Sequence, residues 1–193
     1  GDVFEVWIGD DGLDDTTSFE ARVIARLAQH AKQRGAITTL DVFASSQAEM
    51  QAVEQMLPHT DYFLPSIEEA HALTGRSDLQ GTAEYFLERG VACCIFTLGP
   101  DGAYYHDSQG VRFRVPAFQV DVRCTCGCGD AFNAGFAVAL RRGLDAEQAV
   151  RFAQATSALN ASGLGSQAGV VDFEGTWSFM QRTATRSHGL ALA

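Results

Sequence analysis

Between Cys124 and Phe136 the chain reads Cys-Thr-Cys-Gly-Cys-Gly-Asp-Ala-Phe-Asn-Ala-Gly-Phe, which places two glycines and a carboxylate where an extended run turns into a helix. Phe132, Phe136 and Leu140 recur every fourth position, so one stripe faces a core and the helix is expected to begin near Gly127. The first amides of such a helix point outward without intrahelical acceptors. Gly127 and Gly129 remove side chains that would keep an anion from those N–H groups, and the helix dipole adds partial positive charge there. Phosphate oxygens suit that pocket. Asp130, in the first turn, is placed to face whatever group approaches the phosphate. The chemistry this would serve is phosphoryl transfer to an alcohol. Asp130 would receive the hydroxyl proton, and the amides of Gly127, Cys128 and Gly129 would hold the developing negative charge. A purely structural alternative is a glycine turn with an acid in the first turn of a core helix.

The elements that must position this segment follow from periodicity and turn chemistry. Val3 to Ile8 reads as a buried strand, and a helix opens with Thr17 and Glu20 in capping-box spacing. Phe19, Val23, Ile24, Leu27, Ala28 and Ala31 are expected to form its buried stripe, with Gly35 ending it before a strand at 37–42. Strand, helix, strand requires a right-handed crossover if the strands are parallel. The pattern continues with a helix near 47–56, a strand at 62–64, helices near 67–73 and 82–89, and a central strand at 92–98. Cys93 and Cys94 in that last strand read as small buried hydrophobes. A hairpin is expected around Asp107-Ser108-Gln109-Gly110, and long helices from Gly127 and Asp145 complete an α/β layer architecture.

The sequence GCGDAFNAGF at 127–136 closely resembles the G-A-G-D-x-F signature of the ribokinase-like, or PfkB-type, carbohydrate kinases. Thr97-Leu98-Gly99-Pro100-Asp101-Gly102-Ala103 resembles that family's T-x-G-x-x-G-A nucleotide loop, and Leu64-Pro65-Ser66-Ile67-Glu68-Glu69-Ala70 its P-N-x-x-E segment. Phe152-Ala153-Gln154-Ala155, leading to Gly163 and Gly165, is similar to its adenine-side helix and glycine loop. The likeness runs from Gly1 to about Thr176. It implies a three-layer Rossmann-like (ribokinase-like) sheet with helices on both faces, and an ATP-dependent carbohydrate kinase using Mg2+. Asp130 would be the base and Gly127, Cys128 and Gly129 the anion hole. Thr97, Gly99, Gly102, Asn133, Gln154 and Gly165 would lie along the nucleotide, and Glu69 near the metal.

Several of these assignments have a plainer counterpart. Ser66 and Glu69 also form an S-x-x-E capping box that needs no ligand. Thr97 and Gly99 could belong to an ordinary strand-ending turn. Gln154 and Asn160, on an alanine-rich helix, either border adenine or face water. Cys124, Cys126 and Cys128 raise zinc or iron–sulfur binding as an alternative, although their spacing lacks the C-x-x-C bite; Cys128 at the helix start could instead be an oxidation-prone thiol.

Two departures from the family pattern matter. Cys124 stands where the motif usually begins with Asp, a position associated with a monovalent-cation site, so weak or absent potassium activation is expected. Family members also begin with a further segment that supplies most sugar contacts and a lid. The sequence here starts at the equivalent of a mid-domain strand, so the nucleotide half is expected without the N-terminal portion and lid, as a fragment or a reduced protein. A complete chain of this kind would leave a sheet edge to be covered, and a homodimer is the expected way to cover it. One truncated nucleotide-binding domain over 1–182 and a weakly ordered tail over 183–193 are expected.

Composition agrees with these expectations. The chain has 193 residues, is 46% hydrophobic and carries a formal net charge of −10 with 14 scattered basic residues, so neither nucleic acid nor anionic membrane is an expected partner. Five cysteines, an odd number, fit a reducing cytoplasm. The expected partners are a nucleotide and a small sugar-like acceptor whose identity, among fructose, ribose, a nucleoside or another alcohol, the sequence leaves open. A non-catalytic nucleotide-binding domain derived from such a kinase is the alternative. A dinucleotide-dependent oxidoreductase is disfavoured because no G-x-G-x-x-G follows the first strand.

Overall fold

The structure, a computed structural model, describes residues 3–8, 15–43 and 46–186. The chain divides into two units, Gly1–Thr97 with Tyr104–Phe113, and Leu98–Ala103 with Arg114–Ala193.

The sheet consists of strands β1 (Val3–Ile8), β2 (Ile37–Val42), β3 (Tyr62–Phe63), β4 (Cys93–Thr97), β5 (Ala103–Asp107) and β6 (Arg112–Val115), arranged side by side in sequence order. β1 to β4 are parallel, with Val3 opposite Ile37, Thr39 opposite Tyr62 and Tyr62 opposite Cys93. Each parallel step is bridged by helix: α1 (Asp15–Gln33), then α2 (Met50–Glu54) after a 3-10 turn at Gln47–Glu49, then α3 (Ile67–Thr74) and α4 (Leu79–Leu87). The short connections into β5 and β6 can only join antiparallel neighbours, so the sheet is mixed. Asp107 closes the expected hairpin, its Oδ1 accepting the N–H groups of Gln109 and Val111, each at 2.9 Å. Cys93, Cys94, Ile95 and Phe96 are all buried, and because consecutive strand residues face opposite sides, β4 is covered on both faces. Phe86 ties α4 into this core, its ring centroid 4.7 Å from Phe63 and 6.4 Å from Phe96.

The buried stripe of α1 agrees with expectation at Ala28 and departs from it at Val23 and Leu27. Ala21, Ala25 and Ala28 face inward, whereas Val23 and Leu27 are 42% and 53% exposed. The three alanines sit at i, i+4 and i+7, one face of the helix, and their small size permits close approach. Hydrophobic bulk pointed to the wrong side. Phe19 and the Thr17–Glu20 box have side chains outside the described set. Helix α4 begins three residues earlier than expected because Asp78 caps it, accepting the Gly81 N–H at 2.6 Å.

The second unit holds α5 (Cys128–Arg141), α6 (Ala146–Ala161) and α7 (Phe173–Arg182). Phe132, Phe136, Ala139, Ala149, Val150 and Ala153 are buried. Gly135 sets the α5–α6 distance: a Cβ there would lie 2.5 Å from Thr156 Oγ1 and 2.8 Å from Thr156 Cβ. The Phe173 ring stacks on Phe152 at 4.8 Å and on Trp177 at 5.9 Å, joining α7 to α6. Ala184 and Arg186, within the stretch expected to be a weakly ordered tail, are tied down. Gln119 N–H donates to Ala184 O at 2.8 Å and Arg186 N–H to Ala117 O at 2.8 Å. The rest of that stretch lies outside the described residues.

Candidate active site

Helix α5 starts as the glycines require. Gly127 is its N-cap, with φ 69° and ψ 13°, a left-handed conformation that L side chains adopt at a cost. A Cβ at that position would also lie 2.7 Å from Ser166 Cβ and 2.8 Å from Ser166 O. The residue is therefore glycine for two independent reasons. No side chain caps this end. The N–H groups of Gly127 and Gly129 have no acceptor among the described residues, whereas the Cys128 N–H is bonded to Thr125 O at 3.2 Å. Gly129 is exposed and a Cβ there would meet open space. Asp130 is exposed in the first turn, and its carboxylate has no partner among the described residues.

The lead-in to this helix is strapped to α6. Arg123 and Cys124 donate their N–H groups to Ala161 O at 2.8 and 3.2 Å. Asn160, fully buried, donates from Nδ2 to Cys126 O at 2.8 Å and lies 3.6 Å from Cys128 Sγ. It neither faces water nor reaches an open surface, in contrast to both alternatives drawn from the sequence. A signal for this was present: Ala149, Ala153, Thr156 and Asn160 share one helical stripe, and a carboxamide on a buried stripe needs a partner.

The three cysteines of the lead-in are unlike one another. Cys126 N–H donates to Cys124 Sγ at 3.4 Å. The Cys124 thiol is held below its usual range, first by a hydrogen bond with the Cys126 thiol and then by backbone bonds from Cys126 and Gly165. Cys126, on the other side of the thiol pair, is pushed up by the same bond. Cys128 is half-buried, its Sγ 3.7 Å from Ser157 O. Burial raises Cys93 and Cys94. Among the described residues, no three His, Cys, Asp or Glu side chains are placed to hold a metal.

The remaining expected site residues divide by environment. Gly99, with φ 55°, and Gly165, with φ 103°, border open space. Gly102 has φ 96° and lies against backbone: its Cβ would fall 2.8 Å from Ala117 N, and its carbonyl accepts the Leu98 N–H at 2.8 Å. Close chain approach thus accounts for Gly102 without a ligand. Asn133 and Gln154 are buried. Thr97 ends β4, its N–H donating to Pro65 O at 3.2 Å. Glu69, in the first unit, is part of the capping box at the start of α3. Its Oε2 accepts the Ser66 N–H at 2.8 Å and the Ser66 hydroxyl at 2.6 Å, and the Glu69 N–H returns to Ser66 Oγ at 3.2 Å. The other carboxylate oxygen has no bond among the described residues. Ser166 and Thr125 at the α5 start were not singled out by local spacing, and Asn160 was singled out for a different place.

This fold and this helix start match a known class. The model of the pfkB family of carbohydrate kinases matches residues 16–172, and the chain belongs to that family. The chain is 33% identical over 132 residues to the 2-dehydro-3-deoxygluconokinase of Bacillus subtilis, covering 67% of this chain and 40% of that protein. A crystal structure of ribokinase from Thermotoga maritima superposes with a TM-score of 0.75 at 28% identity, over 94% of this chain and 57% of that one. The aminoimidazole riboside kinase of Salmonella enterica, solved with aminoimidazole riboside and an ATP analogue, has the same fold, with a TM-score of 0.72 at 24% identity over 81% of this chain and 56% of that one. The fold is the ribokinase-like three-layer α/β fold. The chain spans about two fifths of the length of the curated relative and somewhat over half of the solved chains.

Proposed function

We propose that this chain provides the nucleotide-binding and phosphoryl-transferring part of an ATP-dependent carbohydrate kinase. The observation that carries the reading is the start of α5, where two glycine amides and an exposed carboxylate, none with a partner among the described residues, stand within four residues. The Gly127 and Gly129 amides take up negative charge on the phosphoryl oxygens as it develops, with no reorganisation at that moment. Asp130 accepts the proton of the attacking hydroxyl. A carboxylate is a weak base toward an alcohol, but a loose transition state demands little proton removal until bond formation is advanced.

Gly99 and Gly165 border open space and would give backbone access to a nucleotide, and Thr97, Gly102, Asn133 and Gln154 remain the further residues that the family likeness assigns to it. Mg2+ would supply charge neutralisation on the β- and γ-phosphates. Glu69, which the family likeness assigns to that ion, has one carboxylate oxygen held by Ser66 and would have only the other to offer a cation. With no three-residue cage among the described residues, phosphate oxygens and water would complete the coordination. The acceptor is a sugar or a related small alcohol, and the protein acts in the cytoplasm.

One observation favours a second reading, a nucleotide-binding domain without transferase activity: the Cys128 amide, the third member of the expected anion hole, is spent on Thr125 O. Coupled ADP release with a panel of sugars, comparing the full chain with Asp130→Asn, separates the two. Turnover that depends on Asp130 supports the kinase, and nucleotide binding without it supports the second reading. Cys124, already engaged by the Cys126 amide, is a poor ligand for a hard cation, so exchanging sodium for potassium should change turnover by less than about two-fold. A large potassium activation would refute that part.

A further inference from the structure

We propose that Asn160 is a positioning residue for phosphoryl transfer, its buried carboxamide turning the Cys126–Gly127 peptide so that the Gly127 N–H is aimed outward at the anion. The inference rests on the reading of the α5 start as a phosphate site. Asn160 is 0% exposed, and its Nδ2 donates to Cys126 O at 2.8 Å. No backbone N–H among the described residues bonds that carbonyl. The carbonyl of Cys126 and the N–H of Gly127 belong to one peptide unit, which is planar and trans, so the two groups point in opposite directions. Drawing the carbonyl toward α6 therefore swings the Gly127 N–H away from α6.

The same nitrogen lies 3.6 Å from Cys128 Sγ, so the two hydrogens of one amide reach residues on either side of Gly127. Ser166 also lies close to Gly127, leaving no room for a Cβ there. With its carbonyl bonded to a buried side chain, the peptide is oriented before any ligand arrives, as preorganised charge stabilisation requires. Asn160 Oδ1, in contrast, is buried with no partner among the described residues. An orphaned acceptor disfavours the folded state, so the residue is an inefficient choice for stability alone and a suitable one for aiming an amide.

The test uses the full chain with Asn160→Leu, nearly the same size and apolar, and Asn160→Ala, which the alanine-rich helix accommodates even if the leucine does not pack. Thermal unfolding, ADP affinity, affinity for ADP with aluminium fluoride and Mg2+ as a transition-state mimic, and kcat and KM for ATP are measured for each. The expected result is a fall in kcat of about ten- to a hundred-fold, below the effect of deleting an oxyanion donor outright. Affinity for the aluminium fluoride complex should fall in parallel, with ADP affinity and KM within about three-fold. A merely structural role would lower the unfolding temperature and leave kcat of the folded protein intact, and that result overturns the proposal. So does equal weakening of ADP and the mimic, or loss of the cooperative unfolding transition in both variants. If the unsubstituted chain shows Asp130-dependent turnover while the Asn160 variants match it, this inference alone fails. If it shows neither turnover nor preference for the mimic, the phosphate-site reading fails and takes the inference with it.

Discussion

Helices α3 and α5 begin in opposite ways. At α3, Ser66 and Glu69 satisfy each other: hydroxyl and carboxylate each accept the other's backbone N–H, and the end is closed. At α5 a left-handed glycine replaces the capping side chain, and the acid in the first turn bonds to nothing described. Helices α4, α6 and α7 follow α3, each capped by an aspartate: Asp78, Asp145 and Asp172. A capped end uses its outward amides to hold the helix together. An uncapped one leaves them for an outside acceptor at a cost in stability of about 1 kcal/mol. On the proposed reading, the difference separates the capped ends of α3, α4, α6 and α7, which serve the fold, from the α5 end, which would serve chemistry.

The sharpest way to break this contrast is Asp130→Asn. An exposed side chain with no described bond contributes little to stability, so the unfolding temperature should move by no more than about 1 °C, the usual range for surface substitutions. Loss of a general base should lower kcat by about 10²–10⁴-fold in the coupled assay. A large drop in unfolding temperature with unchanged turnover would make Asp130 a structural acid like Asp145.

The two glycines then divide the α5 start within itself. Gly127→Ala forces a left-handed residue against Ser166 and should destabilise by about 2–4 kcal/mol, the sum of conformational strain and overpacking, seen as a lower unfolding midpoint in urea. Gly129→Ala places its methyl in open space, so the midpoint should hold. If this is the phosphate site, the methyl would stand in the way of the anion, and turnover should fall by about ten-fold or more. If both variants unfold early, the open end is only a tight turn.

How much of this was legible depended on whether partners were close in sequence. The capping box at 66–69, the hairpin closed by Asp107 and the glycine start of α5 are local patterns, and the spacing of Phe132 and Phe136 marks the buried side of α5. The inward face of α1 was legible only in part: Ala28 is buried as expected, but Ala21 and Ala25, not Val23 and Leu27, share its face, because close approach selects small residues there. The grip of Asn160 on Cys126 spans 34 residues and exists because Gly135 lets α5 and α6 meet closely. The Thr125 bond that occupies the Cys128 amide depends on the φ of the loop, which residue types alone leave open. Local chemistry pointed to the start of α5 as a candidate, and tertiary approach decided which of its amides are bonded among the described residues.

The smallest effect belongs to the closed end. Ser66→Ala removes the acceptor for the Glu69 N–H and the 2.6 Å hydroxyl bond to Glu69 Oε2, but leaves the Ser66 N–H on that carboxylate. Loss of such a cap costs about 1 kcal/mol, which in a chain of this size lowers the unfolding temperature by about 2–4 °C. If the box serves only the fold, the Mg2+ concentration for half-maximal turnover should stay within about two-fold, because the oxygen of Glu69 available to a cation was never bonded to Ser66. A rise of ten-fold or more would mean that the hydroxyl orients Glu69 toward the ion. The α3 start would then serve structure and chemistry together, and capping alone would no longer distinguish it from α5.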